Sequence, residues 1–353
     1  MIIAKDSSAV LDYLKCLLCI GVVFIHSNFF PNVKDVMEKL GYIYTEDYNT
    51  YQIIKNYFSS AFLDQTCVPL FFCISGYLFF LNIPKNINLT TYVTKIKSRI
   101  GSLLVPYLIA NGIMIMTVSS ISFAHDQQFS IVKFIQAFWS YNGGFPIDVP
   151  TWYIRDLLVL SVLTPLIYNI IKRTSILLPI VLLFCWFANV WITSIPGFSV
   201  RSSLFFSIGA FFSIKGVDVV GSLKVKSLWY IYLVIFSIIY ATTHIFFKHD
   251  FLLKLSVLSS FPMWITFAHG VYKLTNKPCP RVLLTGTFFV FLYHFSLAHR
   301  IPVYLIKVFG CSELSVTLCY FLGAVITICS LLAIYYVMRI STPKITSLIV
   351  GGR

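Results

Sequence analysis

The sequence predicts an all-α, polytopic integral membrane protein of about ten transmembrane helices, with its N-terminus and C-terminus on the cytoplasmic side. Three observations carry that expectation. Only 11% of the 353 residues are charged, against about a quarter in an ordinary soluble domain, so a mostly wet surface cannot be built. The apolar stretches are long enough to span about 30 Å of hydrocarbon. They also lack the period-2 alternation of an outer-membrane barrel, and in lipid a helix is the other element that pairs every backbone group internally.

The apolar runs place helices near 10–30, 57–82, 100–121, 151–171, 176–194, 198–214, 227–247, 252–272, 282–306 and 314–338. The shortest connection, Ile195–Pro196–Gly197, reads as a tight turn. The first run contains Asp12, Lys15 and His26 and no small-residue cleavage site, so it reads as a retained helix. Residues 1–340 are expected to form one transmembrane domain, followed by a short cytoplasmic tail over 341–353.

Orientation follows from the basic residues. With the N-terminus inside, the inner segments hold 16 Lys and Arg and the outer segments 9, while Lys15 and Arg155 fall within helices. The net charge of +14 therefore reads as topology signal and phosphate ligand, not as a nucleic-acid footprint. Most of the nine cysteines, Cys16, Cys19, Cys73, Cys185, Cys319 and Cys329 among them, lie inside apolar runs, where cysteine acts as a small hydrophobe. Cys16 and Cys19 form a CxxC without a second pair, and no metal site is expected. Two outer loops, 31–56 and 122–150, are long enough to be functional or to serve as interfacial aromatic packing.

Ionisable groups within spanning helices are costly and mark function by default. In LDYLKCLLCIGVVFIH, Lys15 and His26 stand 11 residues apart. At 100° per residue they are about 20° apart around the helix and about 16 Å apart along it. Asp12 lies one turn below Lys15, so Asp12, Lys15, Cys19 and His26 share a stripe that has to face protein or a water-filled cavity. Taken singly, Lys15 would snorkel to the inner interface and His26 would be a satisfied polar residue. Arg155 sits beside Asp156 near the outer end of helix 4 and needs an anion, either a local carboxylate or a charge that develops in a reaction. His294 falls near the middle of helix 9, as a site residue or a structural hydrogen-bonding group. His299 reads as solvated at the outer interface. Lys95, Lys97 and Arg99 crowd the inner loop 83–100, where they either bind phosphates or enforce topology.

The ordered set of LDYLKCLLCIGVVFIH, VPLFFCISGYLFF, KSRIGSLLVPY, PTWYIRDLLVLSVLTPLI and FFVFLYH resembles membrane acyltransferase family 3, integral enzymes that acylate cell-envelope carbohydrates. Three positions differ from the family's usual pattern: Lys15 stands where Arg is common, Gln65 where a basic residue is common, and Phe291 where Tyr is common. The resemblance implies an acyl-CoA donor, most simply acetyl-CoA, and a hydroxyl acceptor on a cell-surface polysaccharide or lipid-linked glycan at the inner membrane. The residue layout fits such a donor: Lys15, Lys95, Lys97 and Arg99 would hold its phosphates, and the thioester would reach His26 and His294. His26 would accept the hydroxyl proton or carry the acyl group transiently, and Arg155 would stabilise the oxyanion. The alternative is a transporter or flippase for a lipid-linked glycan, which needs no acyl-CoA. Oligomeric state is not legible in the sequence.

Overall fold

The computed structural model describes residues 5–27, 49–81, 89–124, 130–141, 143–190, 195–247 and 250–352. Among these residues there is no strand, only an isolated bridge between Ile195 and Phe198. The main helices are α1 (Lys5–His26), α2 (Asp64–Phe80), α3 (Leu89–Arg99), α4 (Val105–Ala124), α5 (Ile131–Ala137), α6 (Trp152–Val162) and α7 (Thr164–Thr174). They continue with α8 (Leu177–Phe187), α9 (Val200–Ile214), α10 (Ser227–Phe247), α11 (Asp250–Thr275), α12 (Arg281–Phe309), α13 (Glu313–Ser341) and α14 (Pro343–Ile349). Of the expected loop 31–56, residues 31–48 lie outside the described residues, as do Asn88, His125, Asn142, Lys248 and His249.

Among the described residues, six helical stretches are long and apolar enough to cross a bilayer: Asp6–His26, Tyr51–Phe80, Leu89–Thr117, Asp250–Thr275, Arg281–Phe309 and Glu313–Ser341. A seventh comes from Val149–Val162 and Thr164–Thr174, taken as one span bent by 62°. The bend has a local cause. Pro165 lies in the first turn of α7, where it lacks an N–H and its ring crowds the preceding turn. Three shorter apolar helices, Leu177–Phe187, Val200–Ile214 and Ser227–Ile239, complete the set. The protein is thus an all-helical, multi-pass membrane protein.

Two π-helical stretches are built in: Lys55–Leu63 runs into α2, and Ile100–Leu104 joins α3 to α4. The expected inner loop 83–100 is therefore helical from Leu89 on. A run such as TKIKSR has good helix formers and no breaker, and π turns absorb an offset without ending a helix.

The chain divides into two compact units. The first comprises Met1–Ser8, Pro69–Ser222 and Met338–Arg353; the second comprises Ala9–Val68 and Leu223–Val337. In the first, α2 and α9 cross at two glycines. A methyl on Gly76 would overlap the carbonyl oxygen of Phe206, and one on Gly209 would overlap that of Cys73. Between helices in lipid, small residues of this kind permit the close backbone approach that packing requires. The turn Ile195–Pro196–Gly197 is tight, with Gly197 at φ +96°. It leads into α9 through a reciprocal cap between Ser199 and Ser202. The segment 341–353, expected as a short tail, carries α14, which packs on α4 with Thr346 and Ile349 buried.

In the second unit, α11, α12 and α13 pack with α1. Tyr13 donates to Thr275 Oγ1, 3.0 Å away, and Tyr320 donates to the carbonyl oxygen of Phe24, 3.0 Å away. Gly323 of α13 lies against the ring of Pro302 in α12, and Gly286 of α12 against Tyr335 of α13. Contacts that pair rising with falling residue numbers make α12 and α13 antiparallel.

Replacing Gly209 with Ala forces the added methyl into backbone rather than into a flexible side chain. The expected cost is about 1–3 kcal/mol, read as a lower unfolding temperature in detergent. Unchanged unfolding of Gly209→Ala would contradict the crossing described here.

Candidate active site

The polar stripe of α1 faces α12 along its length. Midway along α1, Cys16 Sγ lies 3.6 Å from Cys279 Sγ and 3.5 Å from Thr287 Oγ1. Cys19 Sγ donates to the Thr287 carbonyl oxygen at 2.8 Å. Seven residues beyond Cys19 on α1, the His26 ring centroid is 5.2 Å from that of His294, 5.4 Å from Phe295 and 6.5 Å from His299. Residue numbers rise together on both helices, so α1 and α12 run in the same direction, as helices 1 and 9 of the expected topology should. Lys15 has a local partner: its Nζ is 2.6 Å from Asp12 Oδ1, with each side chain about 30% exposed. The predicted stripe therefore turns toward protein, with the ion pair at its more open end.

His294 is fully buried. Its Nδ1 is 3.1 Å from the Val290 carbonyl oxygen and 2.9 Å from that of Phe291. Carbonyl oxygens only accept, so Nδ1 carries the proton and the neutral ring presents a bare lone pair at Nε2. Nε2 is buried and has no hydrogen-bond partner. An orphaned acceptor of this kind costs free energy, and such groups cluster where a substrate or proton will be received. His299, read from the sequence as solvated, is half-buried and stacks edge-on against Phe295 with ring centroids 4.7 Å apart. Sequence reasoning missed it because its distance from the bilayer centre was weighed and its face was not. Phe295 and His299 are four apart and lie on one side of α12, the side His26 meets.

Among the described residues, no group of three or more His, Cys, Asp or Glu side chains is arranged to hold a metal ion. Cys279 lies between Pro278 and Pro280, and burial pushes its thiol up to about 12. It is therefore held as the neutral thiol, packed against the Cys16 sulfur.

The other expected site residues belong to the first unit. Lys95 Nζ lies 2.5 Å from the Phe79 carbonyl oxygen and 3.2 Å from that of Leu81, so it caps the C-terminal end of α2. Both Lys95 and Arg99 also sit over the Phe79 ring, at 5.5 and 5.4 Å from its centroid. Lys97 is exposed. Arg155 is buried, and its fork is already engaged. Nε and Nη2 donate to Asp156 Oδ1 at 3.1 and 3.0 Å, and Nη1 donates to the carbonyl oxygens of Trp139 and Gly144 at 2.5 and 2.7 Å. The guanidinium also lies 5.5 Å from the Trp139 ring centroid. The local carboxylate is thus the partner Arg155 found, and its remaining donors staple the 139–144 turn. Gly143 and Gly144 in that turn have φ of +57° and +88°, a conformation that suits glycine.

Beneath the same turn, Asn111 accepts from the Asp148 backbone N–H at 3.2 Å and donates to Thr151 Oγ1 at 3.0 Å. Asp148 Oδ1 is buried without a partner.

Comparison with known proteins adds one finding. A family model described as an acyltransferase domain matches residues 9–337, nearly the whole chain. No curated protein and no solved structure matches it.

Burial pushes the Asp148 carboxyl up to about 8, whereas an unfolded Asp titrates near 4. Below about pH 4 both states are protonated and the group contributes nothing to pH dependence. Between about 4 and 8 the folded state keeps a proton that the unfolded state releases, so stability falls as pH rises through that window. Asp148→Asn should flatten this fall and raise the unfolding temperature at pH 8 relative to the parent. Parallel pH profiles for the two proteins would refute the assignment.

Proposed function

The chain belongs to membrane acyltransferase family 3, and from that premise we propose that it transfers an acyl group, in the simplest case acetyl, from acyl-CoA to a hydroxyl of a cell-surface polysaccharide or lipid-linked glycan. The observation that carries this reading is the pair His26 and His294, one ring against the other with a bare nitrogen buried beside it.

In this reading the protein lies in the inner membrane with both termini cytoplasmic. The seven long spans and the three shorter apolar helices together support ten crossings. Acyl-CoA then approaches from the basic inner face. Lys97 and Arg99 attract its phosphates, and Lys95 contributes charge while it caps α2. Arg and Lys at partly exposed positions suit this task, because a phosphate can be gathered without dehydrating the cation fully.

His26 accepts the proton of the acceptor hydroxyl as its oxygen attacks the thioester carbonyl carbon. The carbon–sulfur bond breaks, and the departing thiolate recovers the proton from the imidazolium. His294 holds its lone pair toward the same space and supports the proton while it is in transit. Arg155 ties Trp139 to Gly144 in this scheme and is not assigned to the oxyanion.

His26→Ala should lower labelled acetyl transfer by at least about 100-fold, the usual scale for a general base. His294→Ala should lower it less, with the protein still monodisperse in detergent. The assay uses radiolabelled acetyl-CoA and follows label into glycan or acetate. Full transfer by His26→Ala would remove that residue from the mechanism. Glycan movement across the membrane without any acetyl-CoA requirement would favour a transporter or flippase instead.

A further inference from the structure

The first unit encloses a cavity of about 340 Å³ that the acyl-transfer chemistry above does not use. We propose that it is a subsite for a neutral sugar unit of the acceptor glycan, which rests on the acyltransferase reading and its orientation. Its walls carry the indoles of Trp152 and Trp186 together with Asp156, Asn189, Ser199 and Arg201. A volume of this order lies within the range of small-ligand pockets, which are typically about 300–1,000 Å³.

The combination selects for sugars. A pyranose presents an apolar C–H face and a rim of hydroxyls. Indole rings cover the face, while carboxylate, amide and hydroxyl side chains exchange hydrogen bonds with the rim. Both indoles are held in place before any ligand arrives. Trp152 packs on Phe72 and Phe145, with ring centroids 6.1 and 6.4 Å apart, and Trp186 stands edge-on to Phe205 at 5.3 Å. The floor is equally fixed: Asp156 is bound by Arg155 at 3.0 Å, and Gly197 ties the turn that carries Pro196 and Ser199. Binding to such a preorganised wall loses little ordering entropy.

Charge argues against a nucleotide in this cavity. One of its two cations, Arg155, is matched by Asp156, and the basic residues Lys95, Lys97 and Arg99 are not in its lining. Position argues the same way. The cavity is built from the first turn of α6, the end of α8 and the start of α9, whereas Lys172–Arg173 close α7 and Lys215 caps α9 at their opposite ends. By the positive-inside rule those basic ends are cytoplasmic, so the cavity opens on the opposite face. An extended polysaccharide would meet the protein on that face, with one of its sugar units held by the subsite.

The test uses the full chain in nanodiscs, labelled acetyl-CoA, and envelope polysaccharide from the source cell stripped of ester groups by mild alkali. Trp186→Leu should raise the KM for the polysaccharide about tenfold, equivalent to about 1.4 kcal/mol. Asn189→Gly should raise it about threefold. Glycine keeps the φ of +54° found at Asn189, and the position is exposed, so this variant stays informative if the tryptophan variant folds poorly. In both, the KM for acetyl-CoA should stay within about twofold. Unchanged polysaccharide KM in both variants, or a rise in acetyl-CoA KM instead, overturns the subsite while normal parental transfer leaves the enzymatic reading standing. A parent that hydrolyses acetyl-CoA and acetylates no polysaccharide overturns both.

Discussion

A spanning helix that carries Asp, Lys, Cys and His along one side has to turn that side away from acyl chains, and in this protein α12 receives it. Sulfur, hydroxyl and imidazole groups meet at successive depths along the α1–α12 contact, from Cys16 and Thr287 to His26 and His294. The sulfur and hydroxyl contacts satisfy groups that lipid could not. Because the two helices run in the same direction, the Asp12–Lys15 ion pair and the imidazoles stay on one continuous wall. The direction also requires an even number of reversals between them, so the packing of the second unit is tied to the topology of the whole chain.

The same constraint organises the first unit by different means. Arg155 is always charged and cannot be left bare in an apolar setting. Its solution is local: a neighbouring carboxylate and two turn carbonyls. The 139–144 turn is therefore held by a guanidinium that the helix could not otherwise bury, and the cavity beside Trp152 and Trp186 inherits a rigid floor. Close crossing of α2 and α9 at Gly76 and Gly209 supplies the packing that apolar surface alone cannot drive between helices in lipid.

Where a polar group remains unsatisfied, the location is informative. His294 Nε2 lies buried beside the His26 ring. Asp148 Oδ1 lies beneath the turn that Arg155 staples. The first fits chemistry and the second fits a neutral carboxyl held as a packing element. Desolvation acts on both, and the difference lies in the neighbours: a ring cluster in one case, and an asparagine and a threonine that already bond the backbone in the other.

Much of the architecture was legible in the chain itself. Long apolar runs, sparse charge and the distribution of Lys and Arg define a helical membrane protein, and the 11-residue interval from Lys15 to His26 defines one polar stripe, because helix period and bilayer chemistry are local properties. The ordered segments also pointed to the acyltransferase family that the match over residues 9–337 shows. Partners were not legible. That the stripe faces α12, that His299 joins His26, that Lys95 caps α2, and that Arg155 spends its fork on Trp139, Gly144 and Asp156 depend on which elements pack together. Hydrogen bonds and ring contacts join residues up to 296 positions apart, and no periodicity encodes such distances. Only tertiary packing decides which of several polar groups meets a partner and which is buried without one.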